Sequence, residues 1–184
     1  MYLEKLIYNR KNHKRARKKE ETSSPWIMDA ILYIIKTVRT EGLLESWMKE
    51  HHDKDCYPPT IINITDGEYN GVTDDEMLQL ANQLKSMFTN DGNVLFFNIH
   101  IVPGHSESVV FPATVGELNG NGYGEKLFNM SSLLPLNYNE QVRGLFGDRQ
   151  TDIRYRAMGV NAGMERLVKM MKIGTLSSTL ANQL

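Results

Sequence analysis

Apolar positions along the chain recur with two periods, and the alternation between them outlines a fold. Ile27, Ala30, Ile31, Ile34 and Val38 fall at helical spacing and would form one buried stripe. Ser24 is a good N-cap before them, and Pro25 takes the first helical position, where its missing N–H costs nothing. Gly42 interrupts the stripe; Leu43, Leu44, Trp47 and Met48 resume it until His51-His52-Asp53-Lys54-Asp55 and Pro58-Pro59 end it. The period then changes. Thr60-Ile-Ile-Asn-Ile-Thr65 is short, apolar and β-branched, which predicts a buried strand stopped by Asp66-Gly67. Thr73 with Glu76 three residues on predicts a capping box, and Met77, Leu80, Ala81, Leu84, Met87 and Phe88 follow as an amphipathic helix. Asn90–Asn93 reads as a turn, and Val94–Val102 as a second strand ended by Pro103-Gly104.

Strand, helix, strand over Thr60–Val102 is a βαβ unit, whose strands run parallel with a right-handed crossover. Parallel strands need cover on both faces, which the helix from Pro25 to Lys49 helps to supply. The expected class is therefore α/β, doubly wound, with a mostly parallel sheet and helices on both faces in the Rossmann-like manner. Past Pro103 the pattern is weaker. Gly116–Gly124 reads as a flexible loop, Tyr123–Leu134 as a helix stopped by Pro135, and Asn137–Arg149 as a short helix plus loop. Ile153–Met158 alternates as an edge strand would; Asn161 would cap a last helix carrying Met164, Leu167, Val168 and Met171, closed by Gly174.

Composition narrows the function classes. The chain has 184 residues, 41% of them hydrophobic and 23% charged, enough for one soluble domain with its own core. Its single cysteine, Cys56, excludes an intrachain disulfide and a cysteine-based zinc site. No apolar run reaches the ~18 residues of a spanning helix, and Met1–Arg10 lacks the pattern of a signal peptide, so a cytoplasmic protein with no membrane contact is expected. The net charge of −1 divides unevenly: residues 1–21 carry +5 and the remainder −6. The basic run contains Arg10, Lys11, Lys14, Arg15, Arg17, Lys18 and Lys19, a footprint that could contact nucleic acid or serve as a solvated arm. It has no interleaved aromatic residue to stack bases, and Glu20-Glu21 neutralise part of it. The expected division is an arm over 1–23, an α/β domain over 24–176 and a tail over 177–184.

For chemistry, the most informative residue is Asp66, a carboxylate at the carboxyl end of a buried parallel strand, where open α/β sheets bind ligands. It could hold a hard divalent cation through oxygen, or simply cap the loop that follows. His51-His52 reads as a helix terminus and His100 as a polar residue at a strand end; His105 adds no clear metal spacing. Cys56 has no acid–base partner nearby, Ser131-Ser132 lacks the nucleophile elbow, and Gly116–Gly124 lacks the phosphate-loop spacing. A small hydrolase or phosphotransferase using Asp66 lacks a second acid–base group at a recognisable spacing.

Thr65-Asp66-Gly67 after an isoleucine-rich strand, then a capped helix and the Asn93–Val102 strand, resembles the second half of a von Willebrand factor A (vWA) domain of the bacterial intracellular type. Ser24-Pro25 resembles the Thr-Pro step before the corresponding helix of that family. Phe128–Pro135, and Arg156–Asn161 through Lys172–Thr175, are similar to its later segments. The resemblance spans roughly Ser24 to Thr175. It implies a protein-interaction domain rather than an enzyme, with a metal-ion-dependent adhesion site (MIDAS) for Mg²⁺ or Mn²⁺. Asp66 would take the third-loop ligand role and Ser24 the second-loop hydroxyl, with Ser23 or Thr22 as substitutes; Thr65, Gly67 and Glu68 would form the partner-binding rim. Nothing before Ser24 contains the family's Asp-x-Ser-x-Ser loop, and its first strands are missing there. The expectation is an N-terminally truncated vWA-like domain whose Mg²⁺ affinity is weak or absent in this chain alone, since such ions want about six oxygens. Its Thr60–Thr65 strand would expose an edge, to be covered by residues 1–23 or by self-association.

Overall fold

The computed structural model describes residues 41–51, 58–66, 72–102, 107–147 and 152–174. The basic arm, Ser24-Pro25 and most of the first helical stripe lie outside the described residues, as do Cys56, His52, Gly67, Glu68 and His105. Residues 41–51 are helical (α1), and buried Leu44 packs with Leu84 and Val94. Then follow β1 (Thr60–Thr65), α2 (Asp74–Ser86), a small hairpin of β2 (Phe88–Thr89) and β3 (Gly92–Asn93), β4 (Leu95–His100) and β5 (Val109–Val110). The chain continues through α3 (Gly122–Met130), α4 (Asn139–Phe146), β6 (Met158–Val160) and α5 (Met164–Gly174).

The class is mixed α/β with a mostly parallel four-stranded sheet in the order β1-β4-β6-β5. β1, β4 and β6 are parallel, and β5 closes one edge antiparallel. The βαβ expectation is met: Thr60 pairs with Leu95 and Thr65 with His100, in unbroken register. β4 is buried at every position because its neighbours on either side are strands and its two faces meet two different clusters. Leu95, Phe97 and Ile99 pack with Val142, Met170 and Ile173 from α4 and α5. Phe96, one residue out of phase, packs with Met77, Ala81, Leu127 and Phe128 from α2 and α3. Period-two alternation thus sends successive side chains to helices on opposite faces.

One face carries a polar interior. Asn98, with no exposure, accepts from Asn63 Nδ2 at 2.9 Å and donates to Ser131 Oγ at 3.0 Å. The Ser131 hydroxyl donates in turn to the Leu127 carbonyl at 2.7 Å. At the start of α2 the capping box forms as predicted: Glu76 N–H donates to Thr73 Oγ1, and Thr73 N–H donates to the Glu76 carboxylate at 2.8 Å. The Thr73 N–H, and then the Thr73 hydroxyl, donate to the Glu76 carboxylate and hold it below its ordinary value.

Several expectations are corrected. α2 ends at Ser86, so Met87 and Phe88 leave its stripe, and Phe88 enters the hairpin with 71% of its surface exposed. The helix from Tyr123 stops at Met130 rather than Leu134, because residues 131–134 are drawn out along neighbouring strands: Ser132 N–H bonds the Phe96 carbonyl and Leu134 N–H that of Tyr155. Gly116–Gly124 is not a loose loop: a 3-10 turn over Val115–Leu118 precedes α3, whose N-cap is Asn121. The strand read at Ile153–Met158 lies later, at Met158–Val160, and is interior; the edge belongs to β5, a two-residue strand too short to register as a pattern. Asn161 does not cap α5; its side chain accepts Val102 N–H at 2.7 Å, and its φ of 48° turns the chain away from β6.

α5 closes onto the amino end of β1. Thr60 Oγ1 donates to the Gly174 carbonyl. A Cβ at Gly174 would meet the Phe97 ring at 3.0 Å and Thr60 Cγ2 at 3.1 Å. Neither atom can withdraw, since Phe97 is sealed in the core and Thr60 is stiff at χ1. Gly174→Ala should therefore lower stability by about 1–3 kcal/mol through overpacking. Gly144→Ala in α4, where a Cβ meets nothing within 4 Å, should raise it by ~0.5–1 kcal/mol. Urea denaturation of the pair checks this; equal effects of one sign would contradict it.

Candidate functional site

The carboxyl ends of β1, β4 and β6 form one rim, because all three strands run the same way. Thr65, His100 and Val160 stand in one register row across it. Asp66 follows Thr65 directly, at the point where β1 ends. The rim is stitched by backbone: Ile101 N–H bonds the Thr65 carbonyl and Asn161 N–H the His100 carbonyl, each at 2.8 Å. α2 and α3 both begin at this end of the sheet, so the positive ends of their dipoles face the same region. The two helices are joined near these ends by the Lys126–Asp74 ion pair at 3.2 Å.

His100 is the residue that sequence reading undervalued. It is buried, its Nδ1 lies 3.4 Å from the Thr65 carbonyl, and its ring meets Tyr123 edge-on at 5.0 Å. It is a polar strand-end residue, as expected, but one built into the rim beside the Asp66 turn. The signal was the register itself: a βαβ unit in which Thr60 faces Leu95 must place Thr65 beside His100.

Of the residues expected at the site, the described set includes Thr65 and Asp66; Ser24, Gly67, Glu68 and the run Arg10–Lys19 lie outside it. Among the described residues no group of three or more His, Cys, Asp or Glu gathers as a metal cluster would. The rim contributes one carboxylate, from Asp66, one hydroxyl side chain, from Thr65, and an imidazole, from His100. A hard cation prefers oxygen to that nitrogen. The described donors therefore do not by themselves fit an Mg²⁺ site. His51 lies in α1, stacked on Trp47 at 4.3 Å with its Nδ1 2.7 Å from the Trp47 carbonyl. Ser131 and Ser132 serve structural bonds, to Leu127 and Phe96, rather than an elbow.

The opposite, amino end of the sheet holds two cations that burial perturbs. Lys85, near the end of α2, reaches the Asn129 carbonyl at 3.5 Å. Arg156, just before β6, donates to the Ser131 carbonyl at 3.0 Å and lies 4.9 Å over the Phe128 ring. Both cations thus sit at the carbonyl-rich end of α3. Burial, then the charge of Arg156, pulls the Lys85 ammonium down to about 8, and burial also lowers Arg156. Nearby, burial and then Asp91 push the Tyr138 phenol up to about 12.

Comparison with protein-family models, with curated proteins and with solved structures finds no match for this chain. Among the described residues no helix is long and apolar enough to cross a membrane.

The perturbed groups predict a pH profile. Lys85 titrates at about 8 when folded against an ordinary 10.5, so between those values the unfolded chain binds more protons and stability rises with pH. Tyr138 titrates at about 12 when folded against an ordinary 10.0, so above 10 the folded chain keeps the proton and stability falls as pH rises. Their joint contribution peaks near pH 10. The urea midpoint should climb from pH 8 toward that peak; Lys85→Met removes the climb and Tyr138→Phe the decline. A wild-type midpoint that falls steadily across pH 8–10, unchanged by Lys85→Met, would refute the assignment.

Proposed function

We propose that this chain is a vWA-like, doubly wound domain that binds a protein partner at the carboxyl rim of its sheet, without catalysis. The observation that carries the reading is the placement of Asp66 at the end of β1, in a parallel sheet that then passes through a capped helix to β4 and on to β6. That chain order is what the resemblance to the vWA family implies for a Thr-Asp-Gly strand and its successors. The carboxyl ends of parallel strands are where open α/β sheets hold their ligands. In this reading Asp66 and Ser24 make a partial MIDAS-type site, Thr65, Gly67 and Glu68 its rim, and the setting is cytoplasmic. A carboxylate of the partner would supply further oxygen to such a partial site. Self-association through the outer edge of β1 belongs to the same reading, since β1 pairs on one side only among the described residues and holds no Lys or Pro as an edge guard.

Two measurements test it. Titration calorimetry with MgCl₂ or MnCl₂ should give no saturation below about the millimolar range for the isolated chain; a low-micromolar dissociation constant would refute the degenerate site. Once a partner is captured by cross-linking, Asp66→Ala and Ser24→Ala should each weaken it at least tenfold, about 1.4 kcal/mol or more. Full binding by both variants would remove the rim from the interface. The basic run Arg10–Lys19 favours a second reading, a nucleic-acid-associated module. In that case a gel shift at low salt should appear and fade steeply as salt rises.

A further inference from the structure

We propose that the cleft at the amino end of the parallel strands is a second binding site, which takes a carboxylate carried on an apolar body. It lies at the opposite end of the sheet from the Asp66 rim. The cleft has a volume of about 330 Å³ and is lined by Lys85, Val94, Leu95, Ser132, Leu133 and Pro135, together with the hairpin residues Gly92 and Asn93. That volume suits a small molecule or one or two residues of a peptide.

Three observations point to an anion. First, Lys85 lines the cleft and Arg156 lies beside it, and among the described residues no carboxylate pairs with either. Their contacts are single carbonyls, of Asn129 and Ser131, which leave most of their donors unused. Two half-buried like charges repel, and an anion between them relieves that repulsion. Second, Ser132 is only 5% exposed and lines the cleft. Its oxygen accepts Phe96 N–H at 2.8 Å, while its own proton meets no acceptor among the described residues. That hydroxyl proton is in a position to donate to a carboxylate oxygen that enters the cleft. Third, Val94, Leu95, Leu133 and Pro135 give the cleft an apolar wall beside the Asn93 amide, with Leu133 at 41% exposure on the rim.

The donor set selects carboxylate over phosphate. A phosphate cradle presents a series of backbone N–H groups at a helix N-terminus. Here the nearest helix terminus is the carbonyl end of α3, and the donors are one ammonium, one hydroxyl and the field of a guanidinium. Arg156 is the charge that acts on Lys85. The Asn129 carbonyl, the Asn93 amide and Ser132 also surround Lys85, and none of them titrates. Asp91, in the hairpin turn, acts on Tyr138 instead.

Methyl NMR of the full chain provides the test, following Val94, Leu95 and Leu133. Hexanoate represents a free acid and N-acetyl-leucyl-leucine a peptide carboxylate; hexan-1-ol and inorganic phosphate are the controls. At pH 7 both carboxylates should shift these methyls and hexan-1-ol should not; the tighter carboxylate names the source. Raising the pH to 9.5 should weaken binding at least tenfold as Lys85 loses its proton. Lys85→Met should weaken it at least tenfold at pH 7 with the amide spectrum otherwise retained. Lys85→Arg should keep the binding and lose its pH dependence, a result that a merely structural lysine would not give. Equal shifts by hexan-1-ol, unchanged affinity in Lys85→Met, or tighter binding of phosphate than of either carboxylate would each overturn the proposal.

Discussion

The hydrogen bond between Asn63 and Asn98 is the constraint around which the rest of this sheet is arranged. Two amides face each other in the middle of adjacent parallel strands, one of them fully buried. Each needs the other, because a buried amide without a partner costs about 1–3 kcal/mol. A slip of β1 by one residue would move Asn63 to the opposite face and leave Asn98 facing isoleucine. Apolar strands are tolerant of register on their own; this pair removes the tolerance. The bond from Asn98 to Ser131 extends the same constraint to α3, whose last turn is fixed against β4. Ser132, one residue later, then carries the chain alongside Phe96.

Both ends of the sheet inherit their geometry from that register. At the carboxyl end it sets Thr65 against His100 and leaves Asp66 at the turn. At the amino end it sets Thr60 against Leu95, so that β4 begins where the hairpin, α2 and the 131–134 segment converge. The two ends differ in electrostatic character. The carboxyl rim faces two helix N-termini and carries an acidic residue; the amino end faces a helix carbonyl end and carries two cations. Each side-chain charge is opposite to the helix pole it faces, which is the stabilising arrangement in both places.

Much of this fold was legible where one residue type had one reason to be there. The isoleucine-rich run of β1, the Thr73–Glu76 capping box and the apolar run of β4 each had a local cause, and together they implied a parallel pair with its crossover. Legibility failed where tertiary contacts overrode local pattern. Leu133 and Leu134 continue the helical stripe of α3, yet strand neighbours claim their backbone N–H and C=O groups. β5 and β6 have two and three residues, too few for a period to show, and β6 is defined by its neighbours rather than by its sequence. Asn161 is a good capping residue by type, but the Val102 N–H took its side chain. At the site, Asp66 was legible as a strand-end carboxylate. His100 acquired its place only through register, and the pairing of Lys85 with Arg156 joins positions 71 residues apart in sequence with no motif between them.

The clasp between Thr60 and Gly174 spans 114 residues of chain. It ties the first strand of the described sheet to a helix far along the chain. β1 and β4 leave the ribosome early and can pair, but one face of that pair waits for Met170 and Ile173 to cover it. Loop closure over such a separation is slow compared with local helix formation. That face is covered in part by Val142 of α4 and completed by Met170 and Ile173 of α5. Loss of α5 would strip Met170 and Ile173 from the core that covers Leu95, Phe97 and Ile99 and would break the Thr60–Gly174 clasp at the same time.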